Sequence, residues 1–307
     1  MNRPTDPPMR ALDLSVRGLT LRARVRGPEQ GPPVLLLHGW LDQSGSFDLL
    51  AAQLAARGFR AIALDLRGHG DSSWAGAGAY YHLVEYLGDV DGALAALGLL
   101  VPGAPPVRLV GHSLGAAIAL LYCAARPGRP LHATLLDGIP MQVSPAEVPH
   151  RLADWLGDLQ SPRVRKTVGS IEEAAERLRA RSAALRTEAS LHLAEGGVSP
   201  DPEQGGALAW KWDPWLRGHS PLPVTEQLLG PLYAQVTTPL LLLRAGTTWL
   251  PEEAGLRALL SGVQAPLDVR TLEGTSHHLH LEEPEQVAEV ITAAWDALPS
   301  QQYLAVE

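Results

Sequence analysis

Short apolar runs alternate with helical patterns over most of this chain. Each run ends in a glycine-rich turn, and the runs occupy residues 32–39, 60–68, 105–111, 131–138, 238–246 and 267–274. Patterns with helical spacing follow several of them, such as "FDLLAAQLAARG" and "SLGAAIALLYCAARPG". Near-continuous apolar strands that alternate with helices are typical of a parallel sheet covered by helices on both faces. The pattern therefore predicts an α/β fold with a mostly parallel sheet.

The first part of the chain has a different pattern. Apolar and polar residues alternate along residues 11–27, around Arg17 and Gly18, which predicts an antiparallel hairpin. The preceding residues 1–10 are polar and lack an apolar h-region, so we expect a disordered tail and no secretory signal.

The alternation of strands and helices stops between residues 139 and 236. This stretch has helical patterns and no strong strand, and it holds four of the eight tryptophans: Trp155, Trp210, Trp212 and Trp215. We therefore predict a helical cap at 139–236, inserted into a core formed by 11–138 and 237–307. The tryptophans either fill a small cap core or form an apolar wall over a pocket, and a cap can do both.

Composition narrows the class of function. The 307 residues are 46% hydrophobic and carry a formal net charge of −8, which argues against a nucleic-acid groove or a polybasic membrane patch. Cys123 is the single cysteine, so no internal disulfide forms. No apolar stretch approaches the length of a membrane span. We expect a cytoplasmic protein that acts on a small molecule; the oligomeric state stays open.

The segment "GHSLG" at 111–115 points to a nucleophilic serine. A predicted strand runs into Gly111 and a helical pattern begins after Ser113. A serine on such a sharp strand-to-helix turn presents its hydroxyl above the sheet edge, and small neighbours are needed there to avoid clashes. This context favours a nucleophile over a serine that only caps a helix.

An activated serine needs backbone donors for the oxyanion that forms on its substrate. We expect the N–H groups of Leu114, directly after the serine, and of Trp40, in the loop after the strand "VLLLHG". His38 is more consistent with a structural hydrogen bond under that loop than with a catalytic base. His112 points away from the hydroxyl and is assigned to packing. We place His38 and His112, together with Trp212 and Trp249, around the substrate pocket.

The base must be a histidine on a loop near the same sheet edge. "EGTSHHLHLEEPEQVAEVI" follows the last predicted strand and offers His277, His278 and His280. His277 comes first after the turn and is the predicted base, while His278 and His280 pack or cap nearby groups. Three clustered histidines suggest zinc, but no distant ligand pattern accompanies them, so we predict no metal site.

Several segments together resemble the α/β-hydrolase superfamily: "HGW", "DLRGHGDS", "GHSLG" and a late G-x-x-H ending at His277. "HGWLDQSGSFD", "LLDGIP", "WKWDPWLRGHSPLPVTEQ" and "GTSHHLHLEEPEQVA" are similar to the serine-hydrolase-like subgroup. The resemblance covers nearly the whole chain. It implies an eight-stranded sheet, a lid and a Ser-acid-His triad in that chain order. In haloalkane dehalogenases and epoxide hydrolases the same resemblance would call for an aspartate in place of Ser113.

The triad acid departs from the superfamily pattern. Most members carry an aspartate three residues after the glycine that ends the strand before the last, and here that position is Trp249. Tryptophan cannot accept a hydrogen bond from an imidazole. Asp137, at the end of the preceding strand in "ATLLDG", is the favoured replacement, because its carboxylate would be fixed at the same edge. The alternatives are Glu252, Glu253, or a degraded triad without an acid.

These residues predict a serine hydrolase that cleaves an ester-type bond in a small molecule with an apolar group, without a cofactor. Two alternatives stay open. One is another reaction on the same triad, such as perhydrolysis or hydrolysis of a carbon–carbon bond. The other is a ligand-binding protein on a retired hydrolase scaffold, with Trp249 filling the place of the acid.

Overall fold

A large sheet forms the centre of the molecule. The computed structural model describes residues 9–161, 163–180, 182 and 185–298; the tail predicted at 1–10 lies mostly outside the described residues. The strands of the large sheet are β1 (Arg10–Val16), β2 (Leu19–Arg26), β3 (Pro33–Leu37), β4 (Arg60–Leu64), β5 (Val107–His112), β6 (Pro130–Leu136), β10 (Leu240–Ala245) and β11 (Leu267–Leu272). The spatial order is β1-β2-β4-β3-β5-β6-β10-β11. All pairs from β4 to β11 in this order are parallel, whereas β1–β2 and β2–β4 are antiparallel. The predicted eight-stranded, mostly parallel sheet is confirmed.

The predicted N-terminal hairpin is also confirmed. Strands β1 and β2 pair in register around Arg17 and Gly18. Both turn residues have positive φ, +52° and +82°. Such a turn matches the right-handed twist of the two strands, which is why it is common in tight hairpins.

Helices cover both faces of this sheet. The α-helices of the described residues are α1 (Asp48–Ala56), α2 (Leu83–Ala96), α3 (Leu114–Ala125), α4 (Val148–Leu159), α5 (Ile171–Arg179), α6 (Thr187–Gly197), α7 (Glu226–Tyr233), α8 (Glu253–Leu259), α9 (Leu279–Glu282) and α10 (Pro284–Asp296). Strand β3 shows how one strand serves two cores, because successive side chains point to opposite faces. Leu35 and Leu37 pack in the core that includes α2, α3 and α7. Val34 and Leu36 pack in the core that includes α1 and α10.

The inserted segment is not purely helical, which corrects the expectation from the sequence. A small antiparallel sheet lies within it, with the order β7 (Thr167–Val168), β9 (Ala207–Trp210) and β8 (Val198–Asp201). These strands have two to four residues, too few to show a period of two in the sequence. They pack with α5 and α6 in a separate small core.

The inserted segment also ends earlier than residue 236. Helix α7 places Leu229 and Tyr233 in the main core beneath the sheet, and Val236 follows them there. Helix α7 therefore packs with the main core, as Val224 just before it also does. Among the described residues, no helix is both long enough and apolar enough to cross a membrane.

Candidate active site

Ser113 lies at the turn between β5 and α3, near the middle of the large sheet. Its backbone has φ +52° and ψ −111°, a conformation that costs energy for a residue with a side chain and that concentrates at functional sites. The turn is tight on both sides. A Cβ atom on Gly115 would lie 1.9 Å from the carbonyl oxygen of Leu37, and one on Gly111 would lie 2.1 Å from the carbonyl oxygen of Gly115. Glycine is therefore required at both positions.

Asp137 and His277 meet at the carboxyl-end edge of the sheet, where they follow β6 and β11, two strands that are separated by β10. Asp137 directly follows β6 and is fully buried. Its Oδ2 atom lies 2.7 Å from Nδ1 of His277, and its Oδ1 atom accepts a hydrogen bond of 3.0 Å from the N–H of Ala245 at the end of β10. Since a carboxylate only accepts, Nδ1 of His277 donates, and the lone pair of the neutral ring is on Nε2.

The other acids considered from the sequence lie elsewhere. Glu252 is exposed and pairs with Arg244 at 3.0 Å, and Glu253 pairs with Arg257 at 2.8 Å. Trp249, in the usual position of the triad acid, is half exposed. Of the three acids weighed from the sequence, only Asp137 contacts His277 in the described part of the chain.

His112 holds the loop that carries His277. Its Nε2–H donates a hydrogen bond of 2.7 Å to the carbonyl oxygen of His277, and the two ring centroids are 4.7 Å apart. Burial lowers the pKa of His112 well below its ordinary value, and the charges of His280 and His278 lower it further. His112 is therefore a neutral positioning group behind Ser113.

A cavity of about 370 Å³ lies over Ser113 and His277. The remaining lining residues are Gly39, Trp40, Leu41, Asp42, His112, Leu178, Leu185, Leu193, Arg217 and His278. The cap thus contributes an apolar wall of leucines and one arginine. The sequence did not reveal these leucines, because a helical period shows that a helix has a buried face but not what that face covers.

Three residues expected around the pocket do not line this cavity. Trp212 is buried and lines two smaller pockets, one between the cap and the core and one within the cap, with its ring 6.0 Å from the guanidinium of Arg217. Trp249 is half exposed after β10. His38 lies below the loop, where its Nδ1–H donates to the Gly39 carbonyl at 2.7 Å and its Nε2 accepts from the Leu66 N–H at 3.0 Å. Of the four predicted pocket residues, only His112 lines the cavity.

Leu114 and Trp40, the two residues expected to provide the oxyanion hole, both lie near Ser113. Leu114 is the first residue of α3, where backbone N–H groups have no acceptor within the helix. Trp40 follows Gly39, and a Cβ atom on Gly39 would lie 3.4 Å from Cβ of Ser113. The indole N–H of Trp40 donates a hydrogen bond of 2.9 Å to the carbonyl of Leu216, so the cap anchors this loop.

Asp42, at the cavity wall, is a residue that the sequence reasoning missed. Burial raises its pKa to about 7, against the lowering effect of a hydrogen bond from the N–H of Gln43. Asp42, His112 and His280 each place one possible ligand atom within 4.8 Å of the others, and these three residues could hold a metal ion. The only available signal for Asp42 was its position in the loop that follows β3.

Comparison with known proteins extends these observations. The model of a family described as "Alpha/beta hydrolase family" matches residues 34–290. Serine hydrolase-like protein from Danio rerio is 30% identical over 283 residues, 89% of this chain and 84% of that protein. Epoxide hydrolase 3 from Siraitia grosvenorii is 42% identical over 99 residues, 32% of this chain and 30% of that protein.

Among solved structures, the thioesterase domain from the curacin biosynthetic pathway superposes with a TM-score of 0.81 and 27% identity, covering 93% of this chain and 99% of that one. The family match extends from β3 into α10 and so spans both parts of the core and the cap between them. This chain is therefore a hydrolase of the α/β-hydrolase family and resembles its serine-hydrolase-like subgroup.

Proposed function

We propose that this protein is a serine hydrolase that cleaves ester-type bonds of small molecules through Ser113, His277 and Asp137. The observation that carries the proposal is the 2.7 Å contact between Nδ1 of His277 and Oδ2 of Asp137, beside a cavity that Ser113 and His277 both line. A buried carboxylate in this position holds the imidazole in the tautomer that a general base needs.

The first half of the reaction is acyl transfer. Nε2 of His277 takes the hydroxyl proton of Ser113 while Oγ attacks the carbonyl carbon of the substrate. The tetrahedral intermediate then collapses, and His277 returns the proton to the leaving alcohol or thiol. The product of this half is an ester between the acyl group and Ser113.

Water completes the reaction. His277 takes a proton from a water molecule, whose oxygen attacks the acyl carbon, and the proton then returns to Oγ of Ser113 as the acid leaves. The N–H groups of Leu114 and Trp40 are the proposed donors to the negative oxygen in both halves. Donors of this kind are effective because they are already oriented before charge develops.

The shape of the cavity limits the substrate. About 370 Å³ admits a small molecule, and Leu178, Leu185 and Leu193 present an apolar wall. Burial of an apolar acyl or alcohol group against these leucines stabilises the complex by about 25 cal/mol per Å² of area removed from water. Arg217 adds a positive charge to the same cavity.

The similar proteins bear on the choice of bond. The thioesterase domain matches this chain over nearly its whole length, which supports cleavage at an acyl group. The similarity to Epoxide hydrolase 3 is confined to about a third of the chain. An epoxide hydrolase would carry an aspartate where this chain has Ser113, so we favour acyl chemistry.

Labelling with a fluorophosphonate probe tests the proposal. We expect the wild-type protein to be labelled rapidly at Ser113, as mapped by peptide mass, and to hydrolyse short 4-nitrophenyl esters. Ser113→Ala should lose both activities, since the attacking oxygen is absent. Folded wild-type protein that is neither labelled nor active on esters would overturn the proposal and favour a ligand-binding protein on a retired scaffold.

A further inference from the structure

Three polar side chains from distant parts of the chain meet below the cavity over Ser113. His112 ends β5, His280 lies in α9, and Asp42 lies in the loop after β3. One ring nitrogen of each histidine and one carboxylate oxygen of Asp42 lie within 4.8 Å of one another. Asp42 and His112 are the distant partners that the histidine-rich segment lacked when the sequence alone was considered.

His112 has a ring nitrogen with an unshared lone pair. Its Nε2–H donates to the carbonyl oxygen of His277, so Nδ1 of the neutral ring carries no hydrogen. His112 is 1% exposed, and its Nδ1 has no hydrogen-bond partner among the described residues. Histidines that bind metal ions characteristically donate their second N–H to a backbone carbonyl or a carboxylate.

The other two members also have buried polar atoms without a hydrogen-bond partner. His280 is fully buried, and neither of its ring nitrogens has a partner in the described part of the chain. Oδ2 of Asp42 is buried and makes no hydrogen bond of ordinary geometry there, although the hydroxyl of Ser46 is close enough to lower the pKa of Asp42; Oδ1 accepts the N–H of Gln43 at 2.8 Å. Buried polar atoms without partners are uncommon because they have lost water and gained nothing in exchange.

The donor set favours a particular class of ion. Two imidazoles and one carboxylate suit Zn²⁺ and the neighbouring transition metals, whereas Ca²⁺ and Mg²⁺ prefer oxygen ligands throughout. Bonds of about 2.0–2.2 Å place zinc ligands roughly 3–3.5 Å apart. From a separation as wide as 4.8 Å, two ligand atoms need to approach each other by roughly 1.3–1.8 Å when the ion binds.

An ion can reach these residues from the active-site cavity. Asp42 and His112 both line the cavity over Ser113, while His280 lies behind them against the ring of Phe47, with centroids 4.9 Å apart. The entry path, the identified ligands and the second-shell hydrogen bond meet three of the usual requirements for metal binding, and the ligand distances must shorten when the ion binds.

We infer that Asp42, His112 and His280 bind one divalent transition-metal ion, of which Zn²⁺ is the representative. Bound there, the ion would fix His112 and, through its hydrogen bond, the backbone of His277. It would also occupy one wall of the substrate cavity. The site would therefore act as an inhibitory site, and this consequence, unlike the binding itself, rests on the proposed hydrolase function.

Zinc titration of the metal-free protein by isothermal calorimetry tests the binding without reference to activity. We expect one Zn²⁺ per chain for the wild type. His280→Gln and Asp42→Asn should each weaken binding by at least about tenfold, since each removes or neutralises one ligand. His150→Gln, on the exposed surface of α4, is the matched control and should bind as the wild type does.

The variant His277→Gln tests whether zinc binds to the inferred site or instead to the side chain of His277, the proposed catalytic base. The hydrogen bond from His112 goes to the backbone carbonyl of His277, so this variant keeps the inferred site and should still bind the ion. Zinc binding that is lost in His277→Gln but retained in His280→Gln would overturn the inference. So would a wild type that binds no Zn²⁺, which would leave buried water as the partner of the three groups.

Inhibition by the bound ion is measured separately, as the effect of Zn²⁺ on ester hydrolysis. If the wild type hydrolyses esters, Zn²⁺ should inhibit it over the concentration range in which calorimetry detects binding, and Asp42→Asn should be resistant. A protein that binds Zn²⁺ at this site but hydrolyses no ester would contradict only the proposed function. Inhibition that persists unchanged in both ligand variants would contradict the inferred site.

Discussion

Nδ1 of His277 lies 2.7 Å from Oδ2 of Asp137, although 140 residues separate the two along the chain. The same carboxylate accepts the N–H of Ala245 through Oδ1. Asp137 is thus held by the neighbouring strand β10 and faces the histidine loop that follows β11. Because asparagine has nearly the same shape as aspartate, Asp137→Asn removes the carboxylate charge with little disturbance of the structure.

Asp137→Asn should keep the fold and lose most of the activity. The amide oxygen can replace Oδ1 toward Ala245, and asparagine tolerates the positive φ of +45° at this position. The amide N–H₂ would then face Nδ1 of His277 and favour the wrong tautomer, so kcat should fall by about 10⁴-fold. Steady-state hydrolysis and the rate of fluorophosphonate labelling measure the effect.

Glu252→Gln is the control for that experiment, because Glu252 pairs with Arg244 rather than with His277. Its kcat should remain within about twofold of the wild type, as expected for removal of one exposed ion pair. A loss of activity in Glu252→Gln together with a normal rate in Asp137→Asn would move the acid away from Asp137.

Gly115→Ala should destabilise the protein and disturb the turn at Ser113. The added Cβ atom would lie 1.9 Å from the carbonyl oxygen of Leu37, and this backbone atom can move only by shifting β3. We expect the free energy of unfolding to fall by at least about 2 kcal/mol, measured by urea denaturation.

Gly157→Ala is the matched control, since nothing lies within 4 Å of the added Cβ atom and the residue is inside α4. Alanine has the higher helix propensity, so this variant should gain up to about 1 kcal/mol. If both variants lost the same free energy of unfolding, the close approach of the added Cβ atom at Gly115 would not be the cause of the destabilisation.

Buried neutral histidines should make the protein sensitive to acid. Burial lowers the pKa of His38 to about 4, against the raising effect of its bond to the Gly39 carbonyl. Burial and the proximity of His38 lower the pKa of His69 to about 3, although Asp65 has a raising effect on this pKa. Both values lie below 6.5, so below that pH the unfolded chain binds protons that the folded chain excludes. Stability is therefore complete above about pH 6.5 and falls as the pH drops towards these values.

His69→Asn should reduce this dependence. At pH 5, one histidine that stays neutral in the folded protein lowers the free energy of unfolding by about 2 kcal/mol. This follows because each pH unit below 6.5 contributes about 1.4 kcal/mol. The variant should lose correspondingly less stability between pH 8 and pH 5 than the wild type, as measured by urea unfolding at both values. An unchanged difference between the two pH values would exclude His69 as a source of acid sensitivity.

Leu193→Ala should change the preference for acyl length. Leu193 is buried in α6 and lines the cavity over Ser113, so its truncation deepens the pocket. We expect kcat/KM on a series of 4-nitrophenyl esters to shift towards longer acyl chains, with a stability cost of about 2–5 kcal/mol.

Leu191→Ala tests whether that shift comes from the cavity. Leu191 lies on the same helix but packs in the small core of the cap, so this variant should lose stability without changing the chain-length profile. The same shift in both variants would attribute it to loosening of the cap.

The elements that the sequence predicted correctly are those with a local signal. The buried strands are apolar runs, the hairpin has a turn at Arg17 and Gly18, and the turn at Ser113 needs a glycine on each side. Such signals survive in any tertiary context, because they follow from the period of the strand and from steric limits on the backbone.

The cap was predicted less well because it lacks local signals of this kind. Its strands are too short to show a period, and α7 has an apolar face that fits either a cap or a core. Only packing shows that Leu229 and Tyr233 lie under the large sheet. The leucines of the cavity wall were missed because Ser113 and His277, with which they line the cavity, lie on distant parts of the chain.

The sequence by itself therefore determined the α/β sheet, the position of Ser113 and the histidine-rich loop that must approach it. The tertiary structure decided that Asp137, which the sequence favoured over Glu252 and Glu253, contacts His277. It also decided which side chains surround the cavity. Pairing of β6 with β10 brings Asp137 beside the final loops, and no local pattern records which strands are neighbours. Contacts between distant segments depend on the order of strands in the sheet, and that order is set by the packing of the whole chain.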